Sequence, residues 1–173
     1  MTTPPEVEGP LVGQSALCSP ILDSLPRWFG MPEANAQYIR DVEVLPTFLA
    51  RDDDGKLVGF LTVKQHYPES AEILVMGVRQ THHRQGAGRA LVEGAEAWLR
   101  SEGTRFLQVK TQGPAVANAD YERTRAFYTG VGFTPLEEML DLWDPDNPAL
   151  VLIKALTEAA TGQSGSESRD SRR

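Results

Sequence analysis

Cysteine is nearly missing from this chain: Cys18 stands alone among 173 residues. One thiol excludes an intrachain disulfide and a cysteine-built metal cluster, and a reducing, cytoplasmic setting is the expectation. Histidine is almost as scarce. His66, His82 and His83 are the only three, their spacing fits no ligand set, and no metal is expected. No apolar run approaches the roughly 20 residues of a membrane span, so no membrane association is expected. The start, MTTPPEVEGP, has neither the basic stretch nor the apolar core of a secretory signal. Bases are outnumbered, 17 Lys and Arg against 24 Asp and Glu, for a net charge of -7. A surface that tracks phosphates needs clustered cations, so nucleic acid is not an expected partner.

What is present suits one ordinary globular domain, with 40% apolar and 24% charged residues. Residues 1–13 read as a flexible N-terminus or an edge strand, 14–157 as the domain, and the polar, Ser-rich 158–173 as a disordered tail. Leu17, Ile21, Leu22 and Leu25 recur at helical spacing over 15–28, with Pro26 ending the run. A second helix is expected over 32–44, with Pro32 in its first turn. Asp52-Asp53-Asp54-Gly55 marks a hairpin between strands at 47–50 and 56–66. Residues 71–79 are apolar on both faces, as in a central strand, and Gly77 within them suggests a bulge or a close backbone approach. Helix 88–100 has Leu91, Val92, Ala95, Trp98 and Leu99 on one face and Arg89, Glu93, Glu96 and Arg100 on the other. A strand at 106–111 follows, parallel to 71–79 by the crossover rule. Helix 119–131 and strands 136–142 and 149–156 complete the domain.

The organising stretch is the strand at 71–79, the loop ending in Gly86-Ala87-Gly88, and the helix after it. That order sets free N–H groups and the positive end of a helix dipole at a strand end, a ready anion site. A P-loop would continue Gly-Lys-Ser/Thr, but Arg89-Ala90 follows. A dinucleotide fingerprint would want Gly or Ala where Leu91 stands. Spacing alone leaves an anion site and a plain strand-to-helix turn both open.

The frame His83-Arg84-Gln85-Gly86-Ala87-Gly88, the preceding Met76-Gly77-Val78 and the later Ala126-Phe127-Tyr128-Thr129-Gly130-Val131-Gly132-Phe133 together resemble the GCN5-related N-acetyltransferase (GNAT) superfamily. That family's signature is Arg or Gln, two residues, Gly, one residue, then Gly or Ala; His83 departs from it at the first position. The resemblance implies a single α/β (α+β) domain. Its mixed central sheet has about six to seven strands, flanked by about four helices, with splayed parallel central strands. It implies transfer of an acetyl group from acetyl-CoA to a primary amine by direct attack in a ternary complex. An acetyl-CoA-binding sensor on the same fold is the alternative.

By the same resemblance the diphosphate lies on the backbone of Arg84, Gln85, Gly86, Ala87, Gly88 and Arg89, with His83 as a substitute contact. The pantetheine arm lies along Met76, Gly77 and Val78, with Gly77 bulging to open the slot. Tyr121 stands where many relatives carry an asparagine that touches this arm. The Met76 N–H steadies the developing oxyanion. Glu72 is the implied base that takes the acceptor's proton and Tyr128 the implied acid for the leaving thiolate. Read without the resemblance, Glu72 is equally an exposed strand glutamate and Tyr128 a core aromatic. The acceptor, a small-molecule or peptide amine, would be chosen by residues 25–38, 65–66 and 136–148, including Trp28, Phe29, Trp143 and Asp144. A monomer or homodimer is expected.

Overall fold

The computed structural model describes residues 4–156. In chain order the elements are β1 (Glu6–Leu11), α1 (Ser15–Asp23), α2 (Pro32–Val44), β2 (Thr47–Arg51), β3 (Leu57–Tyr67), β4 (Ser70–Val78), α3 (Ala87–Ser101), β5 (Phe106–Gln112), α4 (Ala119–Gly130), β6 (Thr134–Asp144) and β7 (Asn147–Ala155). A short 3-10 turn, Gln80–His82, lies between β4 and α3. The strands form one sheet in the order β1-β2-β3-β4-β5-β7-β6. Only β4 and β5 are parallel; the other neighbours are antiparallel. The N-terminal stretch supplies an edge strand, β1. The tail expected to be disordered, 158–173, lies outside the described residues.

Strand alternation sorts the core into two layers. Phe48, Ala50, Leu61 and Val63 face α3, where Leu91, Val92, Ala95 and Leu99 meet them, and Tyr128 of α4 joins this layer. Leu49 and Phe60 point the other way, into Cys18, Ile21, Leu22 and Leu25 at α1 and Val42 of α2. Each of these large side chains is essentially sealed, which is worth about 1.5–3 kcal/mol apiece before conformational entropy is set against it.

Three sequence expectations need correction. The first helix stops at Asp23, a turn short of Pro26. Its Leu17 is 46% exposed, because the buried stripe runs through Cys18, Ile21 and Leu22. Glu96 is not on an open face: it is 3% exposed and accepts hydrogen bonds from Lys154 and Arg100 (Arg100 Nη2 to Oε2, 3.2 Å), so cations from β7 and α3 offset its burial. The bulge in β4 falls at Leu74, not Gly77. Thr62 pairs with Val75 and Val63 with Ile73, which leaves Leu74 without a partner. The extra residue reverses the strand's phase, so Ile73 packs on the α3 side while Val75, two residues on, packs on the α1 side. Gly77 pairs regularly with Phe60. A Cβ there would lie 3.2 Å from Leu25 Cδ1 and 3.3 Å from Ile21 Cγ2, so its bare backbone makes room for α1.

The parallel pair β4–β5 is short. Its rungs run from Ser70–Phe106 to Ile73–Val109 and stop. Beyond that point β4 continues against β3 to Val78, and β5 continues against β7 to Gln112. The two strands diverge and leave a V-shaped slot in the middle of the sheet.

Candidate active site

The slot opens into a cleft of about 1820 Å³. Its walls are the free edge of β4, the loop leading into α3, β5, the inner face of α4, the α1–α2 loop and the β6–β7 turn. Among the expected contact residues, Met76, Gly77, Val78, His83, Arg84, Gly86, Gly88, Arg89, Tyr121 and Tyr128 line it. Gln85 turns away and donates to the Thr81 carbonyl (2.9 Å). Ala87 is buried under the loop.

The loop's backbone is shaped for an anion. Arg84 adopts φ 62°, rare for a residue with a Cβ, and Gly86 adopts φ 90°. Left-handed residues placed among ordinary ones curl successive N–H groups toward one point. Gly86 is the N-cap of α3, no side chain caps the helix start, and the first turn carries no acid. The space beside Gly86 is open, with nothing within 4 Å of a would-be Cβ. Gly88 has a different purpose: a Cβ there would sit 3.0 Å from the Phe127 ring, so its absence lets α4 close on α3. These features fit the diphosphate of a coenzyme A.

Tyr128 projects from α4, only 6% exposed, with its ring against Phe127 (5.2 Å between centroids) and Phe133 (5.7 Å). Burial pushes its hydroxyl pKa well above the ordinary value, so the proton stays on at physiological pH. The hydroxyl has no hydrogen-bond partner among the described residues. Tyr128 is a core aromatic that also lines the cleft.

Glu72 lies one step behind the surface. It is 6% exposed and is not among the cleft-lining residues. One carboxylate oxygen accepts from Lys110 Nζ at 2.8 Å and the other lies 2.6 Å from His66 Nε2. Lys110 does line the cleft, one residue past the last β4–β5 rung. Tyr38 lines it too, and its hydroxyl is pushed up by burial and then by the Glu72 charge. Sequence reading placed Tyr38 only at the end of the stretch 25–38 and missed Lys110 and Gln112. Those two were within reach, because FLQVKTQ alternates, with Leu107, Val109 and Thr111 buried and Gln108, Lys110 and Gln112 more open. Gln112 donates from Nε2 to Asn147 (2.9 Å) and leaves its Oε1 enclosed without a partner.

Tyr121 does not point its hydroxyl at open cleft. It donates to the Trp28 carbonyl oxygen (2.9 Å). Arg123 pairs with Asp120 (3.0 Å), as does Arg27 (2.6 Å), and Arg125 donates to the Gln112 carbonyl (2.9 Å). The acceptor candidates Trp28, Phe29, Trp143 and Asp144 all line the cleft. Among the described residues no three His, Cys, Asp or Glu side chains gather as a metal set, and no helix is long and apolar enough to cross a membrane.

Comparison with known proteins agrees with this geometry. The mycothiol acetyltransferase of Jonesia denitrificans is 31% identical over 94 residues, 54% of this chain and 28% of that protein. The chain thus spans under a third of that relative's length. Among solved structures, a protein described as an acetyltransferase of the GNAT family from Desulfovibrio desulfuricans matches with a TM-score of 0.75 at 18% identity, covering 88% of this chain and 99% of its own. A GNAT family acetyltransferase from Elizabethkingia anophelis, solved with acetyl-CoA bound, matches with a TM-score of 0.65 at 16% identity, covering 87% and 97%. The family model for the acetyltransferase (GNAT) family matches residues 21–133, well over half the chain. With its divided central strands and glycine loop, the chain belongs to the GNAT family of acetyltransferases.

Proposed function

We propose that this protein transfers an acetyl group from acetyl-CoA to a primary amine by direct attack, with both substrates in the cleft at once. The observation that carries this reading is the pairing of a free β4 edge with a left-handed loop at the start of α3, within one cleft that also holds Tyr128. The coenzyme supplies an activated thioester carbonyl. Backbone N–H groups from Arg84 to Arg89 hold its diphosphate, and the open edge of Met76, Gly77 and Val78 aligns its arm as an extra strand would. The Met76 N–H donates to the carbonyl oxygen as charge develops there. Tyr128 donates its retained proton to the departing sulfur.

An alkylammonium must lose a proton before it can attack, since its pKa is about 10. Glu72 takes that proton through intervening water, because it does not line the cleft itself and is held by Lys110, which does. His66, 2.6 Å from Glu72 and part-exposed, passes it on to solvent. Cys18 is sealed under α1, its thiol pushed up to about 12 by burial, which favours direct attack over an acetyl-cysteine route. Incubation with acetyl-CoA and a panel of amines, with detection of free thiol and of acetylated product by mass, tests the reading. Thiol release that depends on amine is the expected result. Tight acetyl-CoA binding with no release on any amine would leave the sensor reading standing instead.

A further inference from the structure

Two positions depart from the family's pattern, His83 in the glycine signature and Tyr121 on α4, and both touch the same residue. The His83 ring meets the Trp28 indole edge to face, with centroids 5.7 Å apart, while its Nε2 lies 2.7 Å from the Val78 carbonyl oxygen. On the other side, the Tyr121 hydroxyl donates to the Trp28 carbonyl at 2.9 Å, and the Trp28 Nε1 donates to Thr124 Oγ1 at 3.2 Å. The Arg27–Asp120 ion pair fixes the preceding residue to α4 as well. The α1–α2 loop therefore reaches from the end of β4 to α4, between two walls of the cleft. Trp28 is half-buried at the middle of this crossing and lines the cleft.

We propose that Trp28 is a coenzyme-contact residue that roofs the pantetheine arm, with His83 and Tyr121 as the posts that position it. This rests on the acetyl-CoA reading above. The arm is a thin chain of methylenes and amides, and in the slot its inner side would face β4. Its outer side would face water unless something covered it. An indole gives a wide, stiff apolar cover at low entropic cost, and its one polar atom is already satisfied by Thr124. The usual contacts from an arginine or glutamine and from an asparagine are absent at positions 83 and 121. The side chains present there hold the roof instead.

Calorimetry on the full chain tests this with two ligands, CoA and 3′-phosphoadenosine 5′-diphosphate, which is CoA without the arm. Trp28→Ala is expected to weaken CoA by about tenfold or more, as truncation of a buried aromatic anchor does, and to leave the armless ligand within about twofold. Trp28→Phe should recover part of the loss. Tyr121→Phe removes one post and keeps the indole, so it serves if Trp28→Ala does not fold; it should weaken CoA about threefold and spare the armless ligand. Equal weakening of both ligands would overturn the proposal and make Trp28 a structural prop. Unchanged CoA affinity with a raised KM for the amine would overturn it in favour of an acceptor contact. Failure of the unmodified protein to bind CoA at all would overturn the acetyl-CoA reading itself, and the roof with it.

Discussion

Ile73 and Val109 face each other as the last rung between β4 and β5, and the next residue along β4, Leu74, is the bulge. The two facts belong together. A bulge adds local twist to its strand, and here the twist begins where pairing with β5 ends. The cleft is thus built by one inserted residue in β4, and the phase change it imposes brings Met76 and Val78 to the α3 side, toward the glycine loop.

Tyr128→Phe separates chemistry from packing. The ring contacts with Phe127 and Phe133 survive the change, and the lost hydroxyl has no partner to strand among the described residues. Turnover should fall by about a hundredfold, a typical cost for a lost general acid, with CoA affinity unchanged within about twofold. Steady-state kinetics and calorimetry check both halves; unaltered kcat would remove Tyr128 from the mechanism.

Gly86→Ala and Gly103→Ala form a matched pair. Both glycines have left-handed φ, 90° and 83°, and both would point a Cβ into open space. Each substitution should cost about 1 kcal/mol from backbone strain. Only Gly86 lies in the anion loop, so only Gly86→Ala should weaken CoA, by about tenfold, because its methyl enters the diphosphate's place. Thermal melts and CoA titrations of the two variants check this directly.

Glu72→Gln should be costly twice over. It removes the anion shared by Lys110 and His66 inside a nearly closed site, for a stability loss of about 2 kcal/mol. It also interrupts the path assigned to the acceptor's proton, so the rising limb of the pH–rate profile should move. Urea unfolding and a pH series on kcat/KM measure the two effects. A lower melting point with an unmoved limb would reduce Glu72 to a clamp for Lys110.

Alkaline pH should loosen the fold from about pH 9 upward. Cys18 has its pKa raised by burial from 9.0 to about 12, and Tyr38, Tyr121 and Tyr128 are raised from 10.0, chiefly by burial. In each case the folded chain holds a proton that the unfolded chain releases sooner. Their contribution is complete below the unfolded values and is lost as pH climbs from those toward the folded ones. Stability by urea unfolding should decline first between about pH 9 and 10, and Cys18→Ala should delay that onset.

The parts of this architecture written in local pattern were legible in the sequence. Leu91, Val92, Ala95 and Leu99 mark α3 by period, Asp54-Gly55 marks the β2–β3 hairpin, and the run through Gly86 marks the anion loop. What escaped was set by partners distant in the chain. Glu96 looks solvated until Lys154, 58 residues away, arrives from β7. Lys110 looks like an ordinary strand lysine until Glu72 is beside it. Gly77 looked like the bulge because a glycine is the visible irregularity, whereas the inserted residue is Leu74, whose side chain gives no sign of it. The His83–Trp28–Tyr121 bridge joins three segments, and no local signal could have announced it.

At one edge of the sheet, β6 carries Leu136, Leu140, Leu142 and Trp143 at 63%, 54%, 42% and 45% exposure along a rim with no neighbour among the described residues. Such a rim invites another chain to stack onto it. Interleaved with those side chains are the exposed Glu137 and Asp141, so two identical rims brought together would set carboxylate against carboxylate. Dissolved salt screens that repulsion and leaves the greasy attraction intact. Stickiness between copies should therefore grow with ionic strength, opposite to the behaviour of a protein held together by ion pairs.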